Sequence, residues 1–224
     1  MEQVRTIRLN RGVFDDNNLA ADVLRRYLKE KGVFLINVMS SPGAGKTTTL
    51  ISLINALSEN FRIGVMEADI DSDVDARKIA SNAKCKAIQL HTGGMCHLDA
   101  EMTRQGLDEL GVDGLDVVFL ENVGNLVCPA EFDTGACMDM IISSVPEGDD
   151  KPLKYPLIFG KCDLVVLNKI DAAPYFDFDF KKFENNVHLR NSAARIIGIS
   201  AKSGENVREL KEYLVQTINK WRGN

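Results

Sequence analysis

The sequence predicts a doubly wound α/β domain built on a mostly parallel sheet, and three observations carry that prediction. Apolar runs rich in Val, Ile and Leu show no polar alternation, as strands buried on both faces do. Segments with helical spacing separate these runs, the order that lays helices on both sides of a parallel sheet. One such run leads through a glycine-rich turn into a helix, so a ligand site is expected at the carboxyl ends of the strands.

A first helix is expected over about 17–31, capped by Asn17 or Asn18 and stopped at Gly32. Ala20, Val23, Leu24, Tyr27 and Leu28 share one of its faces. Strands follow at about 33–38, 62–68, 116–121, 138–144, 163–168 and 195–199, with a further short one admissible near 86–90. Helical patterns lie near 46–58, 74–82, 97–109 and 178–189. A last helix, about 204–221, sets Val207, Leu210, Leu214, Ile218 and Trp221 at three- and four-residue spacing. Pro146 to Pro156 is the least regular stretch and reads as a surface loop. No internal repeat or low-complexity linker interrupts the chain, so residues 1–224 read as one domain with an N-terminal helix.

Bulk properties narrow the function classes. A formal net charge of −5, with no run of lysine or arginine, gives no pull toward nucleic acid or an anionic membrane. No apolar run approaches the roughly eighteen residues of a membrane span. The N-terminus, with Glu2, Arg5 and Arg8, lacks the apolar core of a signal peptide. Five cysteines, an odd number, argue for thiols or metal ligands rather than a disulfide framework. A soluble cytoplasmic protein is expected.

The run Ser40-Ser41-Pro42-Gly43-Ala44-Gly45-Lys46-Thr47-Thr48 stands between the strand at 33–38 and a helix, the setting a phosphate-binding loop requires. Consecutive backbone N–H groups would face the phosphates, and the helix N-terminus adds partial positive charge. Lys46 would reach the β- and γ-phosphates and the Thr47 hydroxyl would ligate Mg²⁺. Ser40 stands where the first glycine of the common pattern falls, a small-for-small departure.

Asn168-Lys169-Ile170-Asp171 follows the strand Leu164–Leu167 and fits guanine. The Asp171 carboxylate accepts from the ring N1–H and the exocyclic amine, a donor pair adenine lacks; such sites reject the analogue by roughly 10⁴-fold. The Lys169 stem would lie along the base, and Asn168 would tie this loop to the phosphate loop. Ser200-Ala201-Lys202, after the strand at 195–199, resembles the second guanine-contacting loop of GTPases, with a backbone N–H near Ala201 donating to the base carbonyl. GTP/GDP is therefore the expected ligand.

Glu121-Asn122-Val123-Gly124 ends another strand where most GTPases carry Asp-x-x-Gly, so Glu121 would act on Mg²⁺ through water and Gly124 on the γ-phosphate. Carboxylates crowd 67–75, beside a triphosphate, which calls for a cation. Asp69 and Asp75 are the expected Mg²⁺ ligands; Asp71 and Asp73 read as solvated loop charges, and Asp75 has an alternative as a helix N-cap. Asn125 occupies the position where several regulatory GTPases carry a water-orienting Gln, so slow intrinsic hydrolysis is expected.

Gly93-Gly94-Met95-Cys96-His97 opens the fourth helical pattern, and Cys128-Pro129 follows Gly124 by four residues. Thiolate and imidazole suit Zn²⁺ and Ni²⁺. A metal site at Cys96, His97 and Cys128 competes here with packed core thiols. Cys85, Cys137 and Cys162 have no ligand partners nearby in sequence and read as core thiols; His91 and His188 have no specific claim.

Taken together, the Ser-Ser-Pro-Gly-Ala-Gly-Lys-Thr loop, Asp75-Ala76, Met95-Cys96-His97-Leu98, Glu121 through Pro129, and Lys151-Pro152-Leu153-Lys154-Tyr155-Pro156 resemble the HypB family over nearly the whole chain. The resemblance implies a SIMIBI-like P-loop GTPase fold and a GTP-hydrolysing metallochaperone that helps insert nickel into [NiFe]-hydrogenase. It also implies a GTP-dependent homodimer with Cys96, His97 and Cys128 between protomers. A HypA-type metallochaperone and the hydrogenase large-subunit precursor are the implied partners. An N-terminal Cys-x-x-Cys site and a His-rich tract, both family features, are missing from this sequence. The urease counterpart, UreG, typically shows Cys-Pro-His where Cys96-His97 stands. A GTPase for another nickel metallocentre, or a GTP-gated metal-binding module with little hydrolysis, shares the nucleotide features. Lys151 or Lys154 would serve the nucleotide site or the dimer contact. Cys128 lies within roughly 13 Å of extended chain from Gly124, close enough for γ-phosphate loss to move it relative to Cys96 and His97.

Overall fold

The computed structural model describes residues 11–69 and 74–223, so Glu2, Arg5, Arg8, Asp71 and Asp73 lie outside the described residues. Seven strands form one sheet in the order β3-β2-β4-β1-β5-β6-β7, and every pairing is parallel. The strands are β1 (Phe34–Ser40), β2 (Ile63–Asp69), β3 (Lys86–His91), β4 (Val117–Glu121), β5 (Met138–Ser144), β6 (Leu164–Asn168) and β7 (Arg195–Gly198). The helices are α1 (Arg11–Lys31), α2 (Lys46–Leu57), α3 (Val74–Asn82), α4 (Ala100–Leu110), α5 (Lys151–Lys154), α6 (Pro156–Lys161), α7 (Phe180–Arg190) and α8 (Val207–Arg222).

The central strands β1 and β4 are buried along their whole length, which is why they carry no polar alternation. On one face, Leu50, Leu53 and Ile54 of α2, Ile79 of α3 and Leu210, Leu214 and Ile218 of α8 pack against Ile36, Val38 and Phe119. Trp221 extends that stripe and meets Phe34 edge-on, ring centroids 5.2 Å apart. On the other face, α1 and α4 cover Leu35, Val118 and Leu120. Phe159 of α6 and Phe183 and Val187 of α7 cover Ile141 and Val165. No helix among the described residues is long and apolar enough to cross a membrane.

Four expectations are corrected. The helix expected over 17–31 already includes Arg11, so neither Asn17 nor Asn18 caps it; Asn17 instead donates to the Asp133 carbonyl and accepts from the Ala100 amide. Its buried stripe is Ala21, Leu24 and Leu28, while Val23 is exposed. The helix expected from 97 begins at Ala100, where Asp99 caps it by accepting from the Met102 amide at 2.8 Å. Cys96 and His97 therefore sit in a turn before the helix, behind Gly93 and Gly94 at φ +63° and +95°. Lastly, Pro146 to Pro156 is ordered into a 3₁₀ turn at Val145–Glu147 and helices α5 and α6. Each of its prolines stands in the first turn of one of these short pieces, where a missing N–H costs nothing.

Candidate functional site: a nucleotide cleft joined to a thiol pair

β1 ends at Ser40, and the chain turns through 41–45 into α2. Gly43 and Gly45 take φ of +78° and +95°, a conformation that glycine adopts without strain. A Cβ on Gly45 would stand 2.4 Å from Asn168 Nδ2, so the loop needs glycine there for space as well. Asn168, buried at the end of β6, donates to the Ala44 carbonyl at 3.0 Å and accepts from the Ala201 amide at 3.1 Å. Lys169, at φ +61°, sends its ammonium to the Gly43 carbonyl at 2.6 Å. Three loops distant in sequence thus meet along one edge of the phosphate loop. Asp171 is exposed at the start of the 3₁₀ turn Ile170–Tyr175, and Lys202 is exposed one residue past Ala201. Ser200 is buried and accepts from the Ser203 amide, which shapes that second loop.

A cleft of about 450 Å³ opens over the phosphate loop, lined among others by Ser41, Pro42, Lys46, Thr48, Asp69, Asp75 and Gly124. At its floor the ligand atoms of Glu67, Asp75 and Glu121 lie within 4.8 Å of one another. Thr47 Oγ1 donates to Glu121 Oε1 at 3.2 Å, and Lys46 Nζ stands 3.7 Å from the same oxygen. Glu67 Oε2 and Glu121 Oε2 are buried without a hydrogen-bond partner. Burial pushes the Glu67 carboxyl up to about 8, and the Glu121 charge pushes it the same way, against a hydrogen bond from Gln89. Glu121 is raised to about 6 by burial, with Lys46 opposing. Two orphaned buried carboxylate oxygens beside a threonine hydroxyl form an all-oxygen donor set, which fits a hard divalent cation such as Mg²⁺. A Cβ on Gly124 would lie 3.7 Å from Lys46 Nζ and 3.6 Å from the Pro42 ring, so the loop after β4 lies directly on the phosphate loop.

That loop continues to Cys128, which starts a 3₁₀ turn, Cys128–Ala130. The Cys128 thiol is raised above its ordinary value first by its hydrogen bond with Cys96, and then by burial. The Cys96 sulfur lies 3.9 Å from His97 Nδ1. The His97 ring is stacked on Phe132, centroids 3.8 Å apart and planes 10° off parallel, and its pKa is lowered by burial. Asn125 Oδ1 accepts from the amides of Val127 and Cys128 at 3.0 and 2.9 Å, and its Nδ2 donates to the Cys96 carbonyl at 2.5 Å.

Residues 34–198 match the CobW/HypB/UreG nucleotide-binding domain. A hydrogenase maturation factor HypB from Rhizobium leguminosarum bv. viciae is 39% identical over 96% of this chain and 71% of its own length. This chain belongs to the HypB family. A hydrogenase/urease maturation factor HypB from Helicobacter hepaticus is 37% identical over 95% of this chain and 88% of its own. The crystal structure of HypB from Helicobacter pylori in complex with nickel superposes with a TM-score of 0.86 at 34% identity, covering 92% of this chain and 96% of that one. The fold is that of a P-loop GTPase, the fold of the HypB family.

For this HypB-family chain, the structure gathers most of the sequence-predicted site residues and redistributes a few. Asp75 lies in the first turn of α3 and faces Glu121, but the third carboxylate with them is Glu67 rather than Asp69. Asp69 lines the cleft at the end of β2 and raises Glu67 by its charge. Glu67 belongs to the acidic run 67–75, but linear sequence does not single it out over Asp69; the signal lies in the register, which pairs Glu67 with Glu121 across β2 and β4. Asn125 is no analogue of a water-orienting Gln, because both ends of its amide are engaged around the thiols. The Ala201 amide is taken by Asn168. Lys151 and Lys154 pair with Glu147 and Asp150, each four residues back, rather than reaching the cleft. Cys162 is fully buried, and burial raises Cys85 to about 11 and Cys162 to about 12, as core thiols.

Proposed function

We propose that this chain is a GTP-hydrolysing metallochaperone that assists nickel insertion into [NiFe]-hydrogenase, with the GTP state coupled to dimerisation and to a metal site at Cys96, His97 and Cys128. One observation carries the reading: the chain from Glu121 to Cys128 begins in the carboxylate floor of the cleft, crosses the phosphate loop at Gly124 and ends at Cys128, whose amide and the Cys96 carbonyl are both held by the Asn125 side chain. Backbone amides of 43–46 and the Lys46 ammonium would hold the β- and γ-phosphates, and the Gly124 amide would meet the γ-phosphate. Asp171 would read the guanine N1–H and amine, Lys169 would line the base, and the Lys202 amide would meet the base carbonyl that Ala201 is not free to take. Thr47, Glu67, Asp75 and Glu121 would hold Mg²⁺, which when bound neutralises charge on the transferring phosphoryl group. Nickel is the cargo, and thiolate with imidazole suits it as it suits Zn²⁺.

Exposed apolar side chains at Met95 and Val127, each next to one of the two thiols, support self-association through that face. The family supports a HypA-type metallochaperone and a hydrogenase large-subunit precursor as partners. A urease client is favoured to a lesser degree by the hydrogenase/urease relative from Helicobacter hepaticus.

The test is chelator competition for Ni²⁺ on metal-free protein with GDP and with a non-hydrolysable GTP analogue, run beside phosphate release from GTP. The expected outcome is phosphate release above background and about a tenfold change in Ni²⁺ affinity, equivalent to about 1.4 kcal/mol. Cys96→Ala is expected to abolish that binding and keep GTP binding. Equal affinity in both states, or no phosphate release, overturns the proposal.

A further inference from the structure

Asn125 directly follows Gly124, and its side chain is the meeting point of the two thiol-bearing segments. Its carbonyl oxygen receives the Val127 and Cys128 amides and so shapes the turn that presents Cys128. Its NH₂ group grips the Cys96 carbonyl, 29 residues away in sequence. Other long-range bonds tie each segment to its own surroundings rather than to the other: the Thr92 amide donates to the Asp69 carbonyl at 3.2 Å, and Lys161 Nζ donates to the Ala130 carbonyl at 2.8 Å. The stack of His97 on Phe132 is a further contact between the segments, but it fixes a ring and not the backbones that carry the thiols. An amide is planar, so its donor and acceptor ends turn together. A shift of Gly124, whose Cα lies one peptide (about 3.8 Å) from that of Asn125, therefore reaches Cys96 and Cys128 through one rigid group. Gly124 itself lies against Pro42 and Lys46 of the phosphate loop.

We propose that Asn125 is the positioning residue through which the nucleotide state sets the separation and orientation of Cys96 and Cys128. It contacts neither phosphate nor metal; it acts by holding two backbones in one register. This inference rests on the coupling between nucleotide and thiols proposed above.

Full-length, metal-free wild type, Asn125→Ala and Asn125→Asp are treated with dibromobimane, a short thiol-bridging reagent, in GDP and in a non-hydrolysable GTP analogue. Peptide mapping then quantifies the Cys96–Cys128 bridge. GDP affinity and Tm report that each variant is folded. Asn125→Asp retains both acceptor bonds to 127 and 128 and loses the donor to Cys96, so it separates a turn defect from a broken link. The wild type is expected to show about a tenfold difference in bridging rate between nucleotides, within the usual range of coupling. Both variants are expected to bring that ratio to about one with GDP affinity retained. A wild-type ratio persisting in folded Asn125→Ala and Asn125→Asp overturns the inference alone. A ratio of one in the wild type overturns the nucleotide–thiol coupling itself, and the role of Asn125 with it.

Discussion

Replacing Glu67 by Gln is expected to stabilise the metal-free, nucleotide-free protein, although it removes a residue of the candidate cation site. Glu67 is 4% exposed, has an unpartnered oxygen and faces Glu121 and Asp75. Its carboxyl is raised from 4.5 to about 8. The folded state therefore keeps a proton that the unfolded chain releases, and stability falls as pH rises from about 4.5 through about 8. At pH 7.5 this difference amounts to about 4 kcal/mol at most, at about 1.4 kcal/mol per pH unit. Relaxation around the site and the burial cost of the amide reduce the expected gain to about 1–3 kcal/mol. For a chain of this size that is a Tm rise of about 3–10 °C. The assay is thermal unfolding in chelator from pH 4.5 to pH 8.5. The advantage of Gln should vanish at the acid end and grow to a plateau above about pH 8. Added Mg²⁺ and GDP should stabilise the wild type more than the variant. A Tm difference that is negative at pH 7.5, or independent of pH, would refute the account of the carboxylate cluster.

Two further outcomes concern the phosphate loop and the opposite, amino-terminal end of the sheet. Gly45→Ala forces a Cβ to within 2.4 Å of Asn168 Nδ2 at φ +95°. The left-handed conformation costs about 1–2 kcal/mol, and the lost Asn168–Ala44 bond about 1 kcal/mol more; thermal unfolding should show a lower Tm and a titration weaker GDP binding, and no change in either would contradict the packing. Asp116 accepts from Arg62 and Arg222, and Arg62 holds its carboxyl at about 2. Its contribution is present above the unfolded value of 3.8 and lost as pH falls toward about 2. Asp116→Asn should therefore lower Tm at neutral pH and flatten the acid limb of the stability profile, and an acid limb equal to wild type counts against the assignment.

What the sequence reveals depends on how far each signal must reach along the chain. β1 and β4 through β6 stand out because burial on both faces leaves mostly apolar runs, broken only by Asn37 in β1 and Asp139 in β5 before their polar carboxyl ends. β3 is faint because it is the sheet edge, with Lys86 and His91 exposed at its ends and the rest half-buried. The start of α1 is hidden because Asn17 and Asn18 look like caps, whereas Asn17 serves Asp133 and Ala100 on distant segments. The 3₁₀ turn at Val145–Glu147 could have been anticipated from Ser144 and Glu147, whose reciprocal hydrogen bonds form a capping box, whereas α5 and α6 carry no side-chain cap to announce them. Within the cleft, the contiguous phosphate and guanine motifs are visible because their chemistry is local. Glu67 and the role of Asn125 depend on strand register and on a bond across 29 residues, which no linear spacing displays.

Lys46 links the cleft's two demands. Its ammonium stands 3.7 Å from Glu121 and lowers that carboxyl against the effect of burial. A triphosphate would draw the same ammonium toward its own oxygens, and Glu121 would then lose the positive charge that offsets its desolvation. Glu121 must then take a proton or a divalent cation, or swing away from the well. A cation shared by phosphate and carboxylates answers the charge without moving the strand, so nucleotide and cation favour each other's binding by the same factor. Glu121 is the last residue of β4, and Gly124 and Asn125 follow it within four residues. The buried charge that a cation would answer and the grip on Cys96 and Cys128 are thus carried by one short, continuous loop, which is the physical reason to expect the thiols to respond to the phosphates.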